Sequence, residues 1–211
     1  MGAFARLLGR TGLAFTADGS EAVVRLTKNH ELVIADGRGK LAEAAFRKQL
    51  FFACTAVAGV APGTALSTTP PFDLHNPDGS GIFAEILKVF IGYVSGTLGA
   101  GLLAYAENPQ TTVPSTGTTL TVNSTYLGQA AGLCTAGQGR TVSATPTIIR
   151  PSGISFGASL ASTANAPVMI VDNVDGEIIV PENQDFAIQG VMAAGSSPLI
   201  AIGVLWREFA G

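Results

Sequence analysis

The densest group of residues that could do chemistry is the acidic run from Asp172 to Glu177, which reads DNVDGE. Its three carboxylates and one amide are hard oxygen donors of the kind that calcium prefers. The order of a calcium-binding EF-hand loop is not met, because the alternating ligand positions and the distant glutamate are missing. We therefore predict a polar hairpin turn, with an ion site formed by Asp172, Asp175 and Glu177 as the alternative. The pair Asp172 and Glu177 could instead serve a hydrolase, if the fold places both carboxylates in a cleft.

Histidine and cysteine are too few and too scattered for the common catalytic and metal sites. The chain has two of each, namely His30, His75, Cys54 and Cys134. Zinc needs clustered ligands, and a nucleophile needs a base beside it. The stretch Gly96–Gly101 has the order G-x-x-G-x-G and leads into an apolar strand, which predicts a hairpin turn and no phosphate loop. We predict a turn histidine at position 75, two buried thiols, and a protein that is not an enzyme and uses no cofactor or metal.

The segments between these residues read as many short strands separated by Gly, Pro and Asn. Such spacing, without helix-length segments between strands, is typical of an all-β sandwich or barrel over residues 49–211. The segment Leu41–Ala53 is ambiguous, since Ala42–Ala45 favours a helix and Gln49–Thr55 could begin a strand. The predicted strands are Leu50–Val57, Phe72–His75, Ile82–Val94, Gly101–Ala106, Thr118–Val122, Thr141–Ile149, Ile154–Leu160, Val168–Asp172, Glu177–Val180, Asp185–Ala193 and Leu199–Glu208.

Residues 1–48 differ from this body in charge. The first fifty residues hold eight Lys/Arg and five Asp/Glu, whereas residues 51–211 hold four and ten. We predict a basic N-terminal arm with a small hairpin formed by Ala22–Leu26 and Leu32–Ala35. The acids among its bases and the lack of interleaved aromatics argue against nucleic acid as a partner. The arm is instead expected to dock on a partner protein or a neighbouring subunit through Arg6, Arg10, Arg25, Lys28, Arg47 and Lys48.

The body has an unusual shortage of charge. Charged residues make up 13% of the chain, against about 25% in an ordinary soluble domain. A membrane protein is not expected, because the long apolar stretch Ile82–Leu103 contains Glu85, Lys88 and several glycines and reads as two strands. We expect a soluble protein that is synthesised in a cytoplasm.

Fourteen charges in 161 residues cannot give the mixed charged surface that keeps monomers apart. The exposed apolar patches that result usually mark interaction sites, so we predict a permanent homo-oligomer. The last strand is apolar at nearly every position, which predicts burial of both its faces, one of them by a second copy. The predicted interface residues are Leu199, Ile200, Ile202, Val204 and Trp206.

Several stretches of the body resemble virion structural proteins of tailed bacteriophages. They are PGTALSTTPPFDLHNP at 62–77, GYVSGTLGAG at 92–101, AAGSSPL at 193–199 and the ending Trp206–Glu208. The resemblance implies a jelly-roll-like β-sandwich that forms a trimer on the capsid exterior. It implies a decoration or cement protein that bridges capsomers, with the major capsid protein or another virion protein as partner. The alternative is a tail, vertex-spike or fibre-associated protein that binds a host receptor.

Overall fold

The computed structural model describes residues 39–156 and 169–210. The chain divides into two units, Met1–Glu43 and Ala44–Gly211. The predicted hairpin of residues 22–35, together with Arg6, Arg10, Arg25 and Lys28, lies outside the described residues. The elements of the described part are α1 (Ala42–Phe46), β1 (Leu50–Cys54), β2 (Phe72–Asn76), β3 (Ile82–Thr97), β4 (Gly101–Pro109), β5 (Thr118–Leu120), β6 (Asn123–Ser124), β7 (Thr135–Gln138), β8 (Thr147–Phe156), β9 (Met169–Val180), β10 (Gln184–Met192) and β11 (Ser196–Ala210).

These strands form two antiparallel sheets. The first sheet has the order β6-β1-β11-β3-β9, and the second has the order β5-β7-β2-β10-β4-β8. Without β5–β7, the orders are β1-β11-β3-β9 and β2-β10-β4-β8, which is the double Greek-key arrangement of a jelly roll. The predicted all-β, jelly-roll-like sandwich is therefore confirmed.

A long insertion between β4 and β8 adds the three short strands. β6 pairs with β1 at the edge of the first sheet, while β7 pairs with β2 and β5 with β7 in the second. The carboxylate of Glu208 on β11 holds this insertion, because it accepts hydrogen bonds from the backbone amides of Leu133 (2.8 Å) and Cys134 (3.1 Å). Both cysteines are free thiols, with Cys134 buried as predicted and Cys54 exposed.

The core lies between the two sheets. Trp206 on β11 is 0% exposed and its ring lies 6.3 Å from that of Phe51 on β1. In the second sheet the rings of Tyr105 and Phe186 lie 5.5 Å apart. The indole N–H of Trp206 donates to Glu208 at 3.0 Å, so the largest core side chain has no unsatisfied polar atom.

Residues 199–206 of β11 are apolar because the strand runs in the middle of the first sheet, between β1 and β3, with the second sheet against one of its faces. Its core-facing side chains Ile200, Ile202, Val204 and Trp206 are each 0–1% exposed. They have no surface left for a second copy, so the prediction of these four as interface residues is wrong. Leu199, the fifth, is half-buried at the start of the strand.

The acidic run at 172–177 is not a hairpin turn, contrary to the prediction. It lies inside β9, which continues from Met169 to Val180. The pairing with β3 shifts between Ile86 and Lys88, and Asp175 and Gly176 adopt positive φ angles of 48° and 89°. This geometry is that of a β-bulge, and the polar residues that suggested a turn form the bulge instead.

Candidate interaction surface

Folding leaves the surface even poorer in charge than the composition indicates. Of the fourteen charged residues in 51–211, four are buried, namely Asp73, Arg140, Asp185 and Glu208. Uncharged polar groups such as those of Ser and Thr can be desolvated at a smaller free-energy cost than ions.

The strands β8 and β9 are the last strands of the two sheets, and they lie on the same side of the sandwich. Four large apolar side chains are exposed there. Ile148 and Ile149 on β8 are 44% and 42% exposed, and Val171 and Ile179 on β9 are 46% and 50% exposed. We call these four residues the edge surface. A group of exposed apolar side chains is typical of a protein–protein contact.

A cleft of about 390 Å³ opens within the same region. Its wall is mostly aliphatic, with Ile149 from β8 and Ile178, Ile179 and Val180 from β9. Its polar lining residues are Glu107, Gln184 and Asp185. The aliphatic side chains of this wall could contact apolar side chains from another protein surface.

Arg150 joins the two sheets beside the edge surface. Its guanidinium lies 3.2 Å from Asp172 and 3.2 Å from Glu177, both on β9, and 4.9 Å from the ring centre of Tyr105. Burial, and then the hydrogen bond that Tyr105 donates to Asp172 at 2.8 Å, raise the pKa of the tyrosine.

The two carboxylates considered for ion binding or hydrolysis are thus both engaged by a cation from the same chain. Residues 39–156 and 169–210 contain no cluster of three or more acidic, His or Cys side chains that could hold a metal ion. The ion pairs of Arg150 with Asp172 and Glu177 link the two sheets and have a structural role.

A second polar cluster lies on the outer face of the second sheet. Asp73 and His75 on β2, Asp185 on β10 and Arg140 after β7 are each 0–1% exposed. Arg140 donates to Asp73 through Nε at 2.9 Å and through Nη2. The Arg140 side chain crosses Gly137, where a Cβ atom would overlap it. A buried guanidinium–carboxylate pair of this kind fixes the segment that carries the arginine onto the sheet.

His75 and Asp185 face each other in the register of β2 and β10. Neither ring nitrogen of His75 and neither carboxylate oxygen of Asp185 has a hydrogen-bond partner. Burial, assisted by the charge of Arg140, lowers the pKa of His75 to about 4. The prediction of a turn histidine at this position is therefore wrong, because His75 is a neutral, buried strand residue.

Sequence reasoning missed this cluster. A signal was present in Asp73, which interrupts the apolar pair Phe72 and Leu74, and in Asp185 beside Phe186. The alternation of side chains between the two faces of a strand predicts that these acids face solvent. The insertion that covers them could not be foreseen from the strands themselves.

Two of the predicted docking residues, Arg47 and Lys48, are described and exposed in the turn after α1. The Lys48 ammonium lies 5.9 Å from the ring centre of Tyr126, and Phe46 packs edge-on against the same ring at 6.3 Å. Arg47 and Lys48 thus lie beside an exposed aromatic pair, Phe46 and Tyr126, which are 54% and 39% exposed.

Among the described residues, no helix has the length and apolarity needed to cross a bilayer. Comparisons with protein-family models, with curated proteins and with solved structures found no match to this chain.

Proposed function

We propose that this chain is a non-enzymatic structural protein of a bacteriophage virion, a decoration or cement protein that stabilises the head shell by bridging capsomers. The observation that carries the proposal is the apolar edge surface on a jelly roll whose remaining surface is nearly uncharged. The resemblance of residues 62–77, 92–101 and 193–199 to virion proteins of tailed phages supports the biological setting.

In this proposal the edge surface contacts a second copy of the chain in a closed trimer. Obligate interfaces are more apolar than transient ones and bury roughly 2,000 Å² or more, and cyclic symmetry lets every copy bury the same patch. The trimer would lie on the capsid exterior, with the major capsid protein or another virion protein as its partner.

Placing a charge on the edge surface is expected to separate the copies without unfolding them. The double variant Ile149→Lys/Ile179→Lys puts two desolvated ammonium groups into the proposed contact, whose burial without partners is strongly unfavourable. We expect a folded monomer in sedimentation velocity. Val57→Lys, at a side chain that is 95% exposed elsewhere on the body, is the matched control and should remain a trimer. An oligomer unchanged in the double variant would exclude the edge surface as the contact.

Removing residues 1–48 tests the docking role of the arm. We expect the truncated chain to form trimers that no longer sediment with capsids lacking the protein, because the basic side chains needed for docking are gone. A full-length variant with Arg6→Glu and Arg10→Glu should weaken binding in the same direction and more strongly at low salt. Capsid binding by the truncated trimer at the level of the full chain would refute the role of the arm.

A tail, vertex or fibre-associated protein that binds a host receptor is the second candidate. The exposed aromatic pair Phe46 and Tyr126 favours it, since aromatic side chains at loop ends are common in glycan and receptor contacts. Electron microscopy of the native particle separates the candidates. A cement protein should cover the head lattice in register with the capsid protein, whereas a receptor-binding protein should be confined to vertices or the tail.

A further inference from the structure

The cluster on the outer face of the second sheet contains more acid than its single cation can balance. Asp73, Asp185 and Arg140 are each 0–1% exposed. Arg140 is committed to Asp73 through two of its nitrogens, and to the carbonyl of Thr135 at 3.1 Å. Asp185 has no hydrogen-bond partner on either oxygen.

One short segment covers these groups. Residues 139–143, which we call the covering segment, follow β7 and cross the second sheet. Arg140 binds Asp73 on β2, while the hydroxyl of Ser143 accepts from Asn108 on β4 at 3.2 Å. Since β10 runs between β2 and β4, the covering segment passes over Asp185.

Apart from His75, whose burial favours the neutral ring, the described surroundings of Asp185 supply no second cation. From β2 it faces Asp73 and His75, from the covering segment Arg140, and from β4 the uncharged amide of Asn108, its cross-strand neighbour. A carboxylate buried without a counter-charge is strongly disfavoured, and such a group takes up a proton instead. Because Asp73 already accepts from Arg140, the proton belongs on Asp185.

We propose that Asp185 holds a buried proton at neutral pH and that the attachment of the covering segment to the sheet therefore depends on pH. The segment stays attached while Asp185 is protonated, and its attachment weakens when Asp185 ionises. This inference does not depend on the role in the virion. Ionisation would place a second negative charge beside Asp73 and draw Arg140 away from the bond that holds the segment.

The direction of the pH dependence follows from linkage. Burial, and then the charge of Asp73, raise the pKa of Asp185 above its ordinary value of 3.8. Its stabilising contribution is therefore complete below that value and is lost as the pH rises toward the folded pKa. His75 acts in the opposite sense. Its pKa is lowered from 6.5 to about 4, so its contribution is present above 6.5 and lost as the pH falls toward 4.

Above pH 6.5 the two effects separate, and Asp185→Asn tests the proposal there. While the folded chain keeps the proton and the unfolded chain releases it, the folding equilibrium constant of the wild type should fall as the pH rises, by up to about tenfold for each pH unit, relative to the asparagine variant. Urea unfolding between pH 6.5 and 8 measures this pH dependence. The range lies below the ordinary thiol pKa of 9.0, so that ionisation of cysteine contributes little. Glu107→Gln, at an exposed side chain on the neighbouring strand β4, is the control and should follow the wild type.

A second measurement needs no comparison of stabilities. In a protein labelled at aspartate carboxyl carbons, NMR should show one protonated carboxyl at pH 7 that is missing from the Asp185→Asn spectrum. Hydrogen exchange of residues 139–143, corrected for intrinsic rates, should become faster with pH in the wild type alone. Parallel pH profiles of the two proteins, or aspartates that are all ionised at pH 6.5, would overturn the proposal.

Discussion

Replacing Arg140 with methionine is expected to lower the free energy of unfolding by about 3–5 kcal/mol, as is typical when one partner of a buried ion pair is removed. The methionine fills much of the arginine volume, so the loss comes mainly from Asp73, which is left 0% exposed without its cation. Urea unfolding followed by the fluorescence of Trp206, the single tryptophan of the chain, measures the change.

Two further variants show whether the loss is electrostatic. The double variant Asp73→Leu/Arg140→Met removes both charges and should recover most of the stability, since an apolar replacement of a buried pair is often neutral or better. Arg150→Met removes an arginine that is 29% exposed and pairs with Asp172 and Glu177, so it should cost only about 1 kcal/mol or less. An equal loss in Arg140→Met and Arg150→Met would contradict the assignment of Arg140 as the buried anchor of the insertion.

Truncating Trp206 to alanine is expected to destabilise the fold by about 3–5 kcal/mol, the usual range for a large aromatic in a core. The indole is 0% exposed, packs on Phe51 and donates to Glu208. Its loss creates a cavity and also leaves that carboxylate with one donor fewer. Circular dichroism during urea unfolding is the measurement, because the variant lacks tryptophan.

The same substitution distinguishes a core residue from an interface residue. In the Ile149→Lys/Ile179→Lys background, which we expect to be monomeric, Trp206→Ala should cost as much as it does in the parent protein. Trp206→Phe keeps most of the ring and should cost clearly less. A loss that disappears in the monomeric background would mean that Trp206 acts between copies and not within one.

Much of the fold could be predicted from local pattern. The helix at Ala42–Phe46 and the strand at Leu50–Cys54 follow the change from helix-favouring to strand-favouring residues at Gln49. Strands β10 and β11 lie within two or three residues of the predicted ranges, because a proline, asparagine or glycine turn delimits each of them. The two sheets follow from the number and spacing of such strands.

The remainder depends on contacts that are distant in sequence. A continuous apolar strand such as β11 can be buried by two neighbouring strands and the opposite sheet, or by another chain, and its sequence is the same in both cases. The bulge at Asp175 and Gly176 has the composition of a turn. Arg140 lies 67 residues from its partner Asp73, and only the folded insertion brings the two together.

The irregular backbone of β8 and β9 has a consequence for how many copies can join. Pro151 lacks an amide hydrogen, the pairing of β8 shifts on either side of it, and the bulge twists β9 out of line. Neither strand can therefore serve as a template for unlimited addition of further strands, which is how exposed edges seed fibrils. In the proposed trimer, copies that meet here would do so through side chains, and growth would stop once the proposed ring closed.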